Sequence, residues 1–263
     1  MAGFDYGMEK QAADLIQQLW LNVKTSQIFK NWDHGGILRG LLFESGILDS
    51  SPERNLVNDT FNKMNRTLKK DLSLGIVDAN SGRFVNPKII NNENLIDYLM
   101  ASSALPSIFP AVYKDSTIYI DGGSLLNMDI KSTITYCRSK GYQDSDIIID
   151  YMFLTKSTYS YFNSTNTKSI EMMNRKTEMQ DILKETFLLD DTTMYYKDVN
   201  YRYKLIPKQQ LLKPILGFIP LDTNPKRLNE TFYIGYQDAI EQIKGNQSNL
   251  GRMKFTFMNI YTD

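Results

Sequence analysis

The stretch that decides the fold covers residues 101–127 and reads ASSALPSIFPAVYKDSTIYIDGGSLLN. A helix is predicted to end at Pro106, and the β-branched residues at 117–120 predict a short strand. That strand leads directly into Asp121 and two glycines, Gly122 and Gly123. At the end of a strand in an open α/β sheet, side chains point into the crevice where ligands bind. Asp121 is therefore the candidate functional residue. The alternative is a turn aspartate before an ordinary Gly-Gly bend.

The elements on either side alternate between helix and strand. Helices are predicted at residues 7–24, from Glu53, and at 93–102, 130–140, 168–189 and 229–244. Strands are predicted at 71–78, 83–85, 147–154, 201–206 and 215–219, with a turn at 80–82 and a polar loop at 155–167. The near-continuous apolar strand 147–154 is typical of a strand covered on both faces. The order strand, helix, strand predicts an α/β fold with a mainly parallel central sheet flanked by helices.

Three features have alternative interpretations. Helix 168–189 has an apolar side containing several methionines, which predicts core packing, with a lipid-facing lid as the alternative. Cys137 shares a helical stripe with Ile130 and Ile134 and is predicted to be a buried structural thiol. His34 is the only histidine, and its WDHGG context predicts a turn or surface role. One histidine also argues against a zinc hydrolase.

Composition limits the classes of protein. The 263 residues contain 30 basic and 30 acidic side chains with no basic face, so nucleic acid is not an expected partner. A single cysteine excludes an internal disulfide. The longest apolar runs fall short of the roughly 18 residues of a membrane-spanning helix. The beginning of the chain does not read as a signal peptide.

The central stretch resembles the patatin-like lipid acyl hydrolases. Their pattern is A-S-x-A-x-P-x-x-F-P, a short strand, D-G-G or D-G-A, and an Asn four residues later. The matching residues are Ala101, Ser102, Ala104, Pro106, Phe109, Pro110, Asp121, Gly122, Gly123 and Asn127. Further matches lie at Gly46, Asp49 and Pro52, and at the Gly-Tyr-x-x-Ala that begins at Gly235. The resemblance thus covers about residues 8–244 and implies a patatin-like three-layer α/β fold.

The resemblance implies a serine–aspartate dyad with Asp121 as the proton acceptor and no metal or cofactor. No G-x-S-x-G nucleophile motif occurs in the 263 residues. The segment that is most similar to it surrounds Ser45, but Phe43 and Ile47 stand where the motif has glycines. A glycine-rich oxyanion loop is also missing, and the nearest candidate is Gly35-Gly36 with Arg39 and Gly40. We expect this chain to be an N-terminally truncated member in which Met1 is an internal methionine.

The expected organisation is a partial patatin-like domain at residues 1–245 and a C-terminal tail at 246–263. The expected function is a lipid acyl-ester hydrolase of phospholipase A or lysophospholipase type, of which this chain carries the aspartate. The expected partners are a phospholipid or another acyl lipid, a membrane surface contacted transiently, and a second copy joined through an exposed sheet edge.

Two other interpretations stay open. One is a catalytically inactive patatin-like remnant that binds lipid or a partner chain. The other is an unrelated α/β binding domain in which D-G-G is a plain turn. Five N-x-S/T sequons, at Asn58, Asn65, Asn163, Asn229 and Asn246, permit a secretory route but leave the compartment open.

Overall fold

The computed structural model describes residues 2–87, 94–153, 168–208 and 224–249. The helices are α1 (Glu9–Asn22), α2 (Thr25–Ile28), α3 (Gly36–Phe43), α4 (Ser51–Lys63), α5 (Leu95–Ser102), α6 (Ile130–Ser139), α7 (Ser169–Tyr195) and α8 (Pro225–Asn249). The strands are β1 (Ile76–Asp78), β2 (Arg83–Val85), β3 (Val112–Lys114), β4 (Thr117–Asp121), β5 (Ile148–Met152) and β6 (Asn200–Leu205). The loop predicted at 155–167 and the strand predicted at 215–219 lie outside the described residues.

Four strands form a sheet in the order β2-β1-β4-β3, and every neighbouring pair is antiparallel. The prediction of a mainly parallel sheet is wrong for these strands. The predicted turn at 80–82 forms the β1–β2 hairpin. A second hairpin joins β3 to β4 through Asp115 and Ser116, whose positive φ angles of 48° and 63° suit a tight two-residue turn. Short hairpins make antiparallel pairs, because a parallel pair needs a long crossover.

The other sheet consists of β5 and β6, which are parallel and joined through α7. This pair follows the predicted strand–helix–strand order. The expectation that β5 is covered on both faces is wrong, since Ile149 is buried but Ile148 and Met152 are 54% and 68% exposed. Only the face towards α6 and α7 packs into a core.

Three apolar clusters form the core of the described part. The largest joins α6, β5 and α7 and includes Ile130, Ile134, Ile149 and Leu189. Cys137, predicted to be buried, packs against this cluster but is only partly buried. A second joins α4 and α5 and includes Phe61, Leu95, Ile96 and Met100. The third is small and brings Phe109, from the central stretch, against Leu48.

Six helices, α1 and α4 to α8, lie where helices are predicted, whereas α2 and α3 are not among the predicted helices. The side that each helix buries agrees less well with the predictions. Helix α6 ends before Gly141, whose φ of +94° is the left-handed conformation that glycine favours. Helix α7 extends six residues beyond the predicted end, and its predicted core side is wrong: Ile182 is buried, whereas Met173, Met179, Leu183 and Phe187 are exposed. Within the described ranges, no helix is long and apolar enough to cross a membrane.

Candidate active site

Asp121 lies at the C-terminal end of β4, at the end of the four-stranded sheet where β1 begins. β4 is one of the two inner strands, and Asp121 lies opposite Ile76 of β1. The Asp121 N–H donates a hydrogen bond to the Ala104 carbonyl at 3.0 Å. Ala104 is itself buried and belongs to the same central stretch. The loop after α5 therefore fixes the backbone from which the carboxylate projects.

Gly122 is required by a close approach of two backbones. A Cβ atom placed on Gly122 would lie 2.5 Å from both the carbonyl carbon and the oxygen of Gly75. Backbone atoms cannot move away as the end of a flexible side chain can. The glycine after Asp121 thus allows the chain that precedes β1 to pass directly beside the site.

We expect Gly122→Ala to lower the free energy of unfolding by about 1–3 kcal/mol, as overpacking of a close contact does. Gly235→Ala is the matched control, because a Cβ there meets no atom within 4 Å and the residue lies within α8. That change should raise stability by about 0.4–1 kcal/mol. Urea unfolding of the two variants measures both effects. Equal stability of Gly122→Ala and the wild type would contradict the contact.

The Asp121 carboxylate is half-buried and held on one side only. Its Oδ1 accepts a hydrogen bond from the Gly123 N–H at 3.1 Å. Burial raises the pKa of Asp121 above the ordinary aspartate value, and the Gly123 hydrogen bond partly opposes that rise. Within the described part of the chain, no hydrogen bond to Oδ2 is found. A hydrogen bond from the Gly123 N–H is also typical of an aspartate in an ordinary turn. The partial burial of the Asp121 carboxylate is not required by such a turn.

The raised pKa gives a stability prediction for Asp121→Asn. In the pH range between the ordinary aspartate pKa and the raised folded value, the folded state binds more protons than the unfolded state. Stability therefore falls as pH rises through that range and stays lower above it. Asparagine keeps the oxygen that accepts the Gly123 N–H and removes the buried charge. At pH 7 the variant should therefore have a higher free energy of unfolding than the wild type. Below the ordinary aspartate pKa, the two proteins should differ little. Urea unfolding across this range measures the difference.

Asp97→Asn serves as the opposite control. Although burial acts against ionisation, Arg54 at 2.8 Å and Lys114 at 3.4 Å lower the Asp97 pKa overall. Removing that carboxylate should destabilise the protein at pH 7. An Asp121→Asn variant that is less stable than the wild type at pH 7 would contradict the buried-charge interpretation.

Asn127 connects the site to α7. Its Nδ2 donates to Glu185 Oε1 at 3.1 Å, and Glu185 is only 3% exposed. The Asn127 side-chain oxygen also lies close enough to Gly123 that a Cβ there would come within 2.6 Å of it. The asparagine thus packs against the Gly-Gly corner. The sequence analysis did not identify Glu185, whose spacing from the buried Ile182 and Leu189 is the signal that could have found it.

The other sequence candidates are not assembled into the site. The Ser45 hydroxyl accepts a hydrogen bond from the Ala111 N–H at 3.0 Å, and His34 is exposed in a turn with φ of 54°. Gly36, Arg39 and Gly40 belong to α3, and the N–H groups of Gly36 and Arg39 already donate to the carbonyls of Trp32 and Gly35 at 3.1 and 3.3 Å, so they are not free donors of an oxyanion loop. Arg39 is bound to Glu44 and to the Asp33 carbonyl. Among the described residues, no group of three His, Cys, Asp or Glu side chains could hold a metal ion.

Comparison with known families gives one match. The family model described as Patatin-like phospholipase matches residues 7–134, a segment that contains α1 to β4, Asp121, both glycines and Asn127. No curated protein matches the chain. Residues 7–134 are therefore similar to the patatin-like phospholipases, a family of α/β lipid hydrolases, and this match supports assigning the chain to that family. The resemblance noted beyond residue 134, including the Gly-Tyr-x-x-Ala at Gly235, stays a prediction.

Proposed function

We propose that this chain carries the proton-accepting aspartate, Asp121, of a lipid acyl-ester hydrolase of phospholipase A or lysophospholipase type. The main observation behind this proposal is that the half-buried Asp121 carboxylate lies at the end of β4. One of its oxygens accepts the Gly123 N–H, and within the described residues no hydrogen bond to the other oxygen is found. It lies in the segment that the family model matches. The nucleophilic serine would come from residues outside the 263 printed here.

In the proposed reaction, Asp121 takes the serine hydroxyl proton as the serine oxygen attacks the ester carbonyl carbon. The carbonyl oxygen becomes an oxyanion that fixed N–H donors must stabilise. Collapse of that intermediate breaks the ester bond, and the leaving alcohol receives the proton from Asp121. Water then attacks the acyl-serine as Asp121 accepts its proton, and Asp121 returns that proton to the departing serine oxygen when the bond to the acyl group breaks and the fatty acid is released. Partial burial keeps the carboxylate basic enough for this exchange.

The direct test is fatty acid release from a lysophospholipid by the native protein purified from its source. The proposal predicts turnover that a serine-directed phosphonate inhibits. Absence of turnover, with retained binding to the same lipid, would contradict the proposal and favour the inactive remnant.

The second candidate is binding to a lipid surface without catalysis, and helix α3 favours it. Its apolar side chains Ile37, Leu38, Leu41, Leu42 and Phe43 are 45–81% exposed. Gly40 is its only buried residue, and a Cβ there would be 2.3 Å from the Ile47 carbonyl oxygen. The helix therefore lies against the protein along its glycine and presents its apolar residues outward, as interfacial helices do.

Leu42→Glu is expected to weaken sedimentation with phosphatidylcholine vesicles by roughly tenfold, since burying one leucine contributes about 1.5–3 kcal/mol. Leu183→Glu, at an exposed leucine of α7, is the matched control and should bind like the wild type. Equal loss in both variants would contradict a specific role for α3.

We also propose that the chain self-associates through this surface or through an exposed strand edge. Analytical ultracentrifugation without lipid would then show loss of the monomer.

A further inference from the structure

An elongated apolar cavity lies between α1, α4 and α5, apart from Asp121. Its volume is about 460 Å³. One long wall is α4, which lines it from Glu53 through Val57 and Phe61 to Met64 just beyond the helix. At about 1.5 Å of rise per residue, that wall is about 16 Å long. Leu99 of α5 and Trp20 of α1 lie on other sides.

The size and lining fit one hydrocarbon chain. The cavity is within the range of roughly 300–1,000 Å³ that is usual for small-ligand sites. A methylene group is similar in size to a water molecule, whose share of liquid volume is roughly 30 Å³, so the cavity holds a chain on the order of 15 carbons. Such a chain would contact apolar side chains along almost its whole length.

An ionisable group lies at one end of the cavity, and the hydroxyl of Thr60, further along α4, is bound to the Leu56 carbonyl. Among the described residues that line the cavity, Glu53 is the only ionisable one. Burial raises the Glu53 pKa, and a hydrogen bond with the Ser103 side chain partly opposes the rise. Ser103 directly precedes Ala104, whose carbonyl accepts the Asp121 N–H. The end at Glu53 thus lies beside the segment that supports Asp121, whereas Met64 and Gly3 line the opposite end.

We propose that this cavity binds the acyl or alkyl chain of an uncharged single-chain lipid, with its hydroxyl or ester end at Glu53 and its methyl end towards Met64. A hydroxyl donates a hydrogen bond to the ionised Glu53 carboxylate, whereas an ester oxygen accepts a hydrogen bond from Glu53 only when that group is protonated. A fatty acid carboxylate would place a second negative charge beside Glu53, which costs free energy in a partly buried site. The inference does not depend on the proposed function, because neither Asp121 nor a nucleophile takes part in binding.

The fluorescence of Trp20, which lines the cavity, measures lipid binding. The chain has two tryptophans, and Trp32 does not line the cavity, so the Trp32→Phe variant reports on Trp20 alone. Titration with 1-dodecanol should change Trp20 emission saturably, with a dissociation constant at least about tenfold lower than that of dodecanoate at pH 8. Glu53→Gln should narrow that difference, because it removes the charge that discriminates the two head groups.

Two filling variants, Val57→Phe and Thr60→Phe, test the location, with circular dichroism to verify folding. Each is expected to weaken dodecanol binding at least tenfold. Leu42→Glu, which alters the exposed face of α3, and Asp121→Asn should leave it unchanged, which separates this site from surface adhesion and from the proposed reaction. No saturable response to dodecanol, equal affinity for both lipids, or full binding by a folded filling variant would overturn the proposal.

Discussion

The 263-residue chain is expected to hydrolyse no carboxylic ester above the uncatalysed background, although it carries Asp121 in a suitable environment. A base without a nucleophile cannot form the acyl intermediate, and losing the nucleophile of a serine hydrolase costs about 10⁶ in turnover. Each missing oxyanion donor lowers kcat by a further factor of about 10² to 10³. Ser45 is not expected to replace the nucleophile, because no hydrogen bond between its hydroxyl and Asp121 is found in the described part of the chain; its oxygen accepts the Ala111 N–H instead.

The measurement is hydrolysis of p-nitrophenyl butyrate and of a lysophospholipid by the purified chain. Ser45→Ala and Asp121→Asn are the informative controls, since neither should alter a rate that is already at background. Robust turnover that Asp121→Asn abolishes would show that the nucleophile lies within these residues and would overturn this part of the account.

The second large effect concerns a protein in which this chain is joined to a G-x-S-x-G serine. There, Asp121→Asn should lower kcat by about 10² to 10⁴, the usual contribution of a positioned general base. Asparagine preserves the Gly123 hydrogen-bond acceptor, so the loss reflects proton transfer and not the turn geometry. In the wild type, activity should fall as pH drops through the raised pKa of Asp121, because only the ionised carboxylate accepts a proton.

Asp78→Asn is the matched control for this experiment. Asp78 lies in the same sheet, at the other end of β1, and its Oδ1 accepts backbone N–H groups of the hairpin turn at 2.9 and 3.3 Å. That variant should keep kcat within a few fold of the wild type. Similar losses in both variants would assign Asp121 a structural role only.

The position of strand β4 and of the two glycines that follow Asp121 could be predicted from the sequence. The β-branched run at 117–120 and the D-G-G that follows depend on local chemistry, and the structure has β4 end at Asp121. The hairpin at 80–82 and the helix end before Gly141 were also local predictions. Each of these features is determined by residues within a few positions of one another.

The direction of strand pairing was not predictable in this way. An apolar strand pattern shows that a strand is buried, but it does not show which strand lies beside it. The β3–β4 hairpin uses Asp115 and Ser116 at positive φ, where sequence rules favour Asn-Gly, so the turn was overlooked. Antiparallel pairing of all four strands followed from that hairpin and from the pairing of β1 with β4.

Helix α7 shows why the rest of the site was missed. Its apolar residues are spread around the helix, and the side that packs inward contains Ile182 and Leu189 together with Glu185. A glutamate on a buried side gives no apolar signal. Its spacing from Ile182 and Leu189 places Glu185 on the buried side, but its contact with Asn127, 58 residues away in the sequence, is seen only in the structure. The same holds for the α1–α4–α5 cavity, which exists only through long-range packing.

The most direct test of the account is peptide mapping of the native protein from its source after reaction with a serine-directed phosphonate. The account predicts a single labelled serine within a G-x-S-x-G sequence that is continuous with this chain, and slower labelling when Asp121 is changed to asparagine. A native chain of 30.4 kDa that begins at Met1 and takes up no label would contradict the proposed dyad.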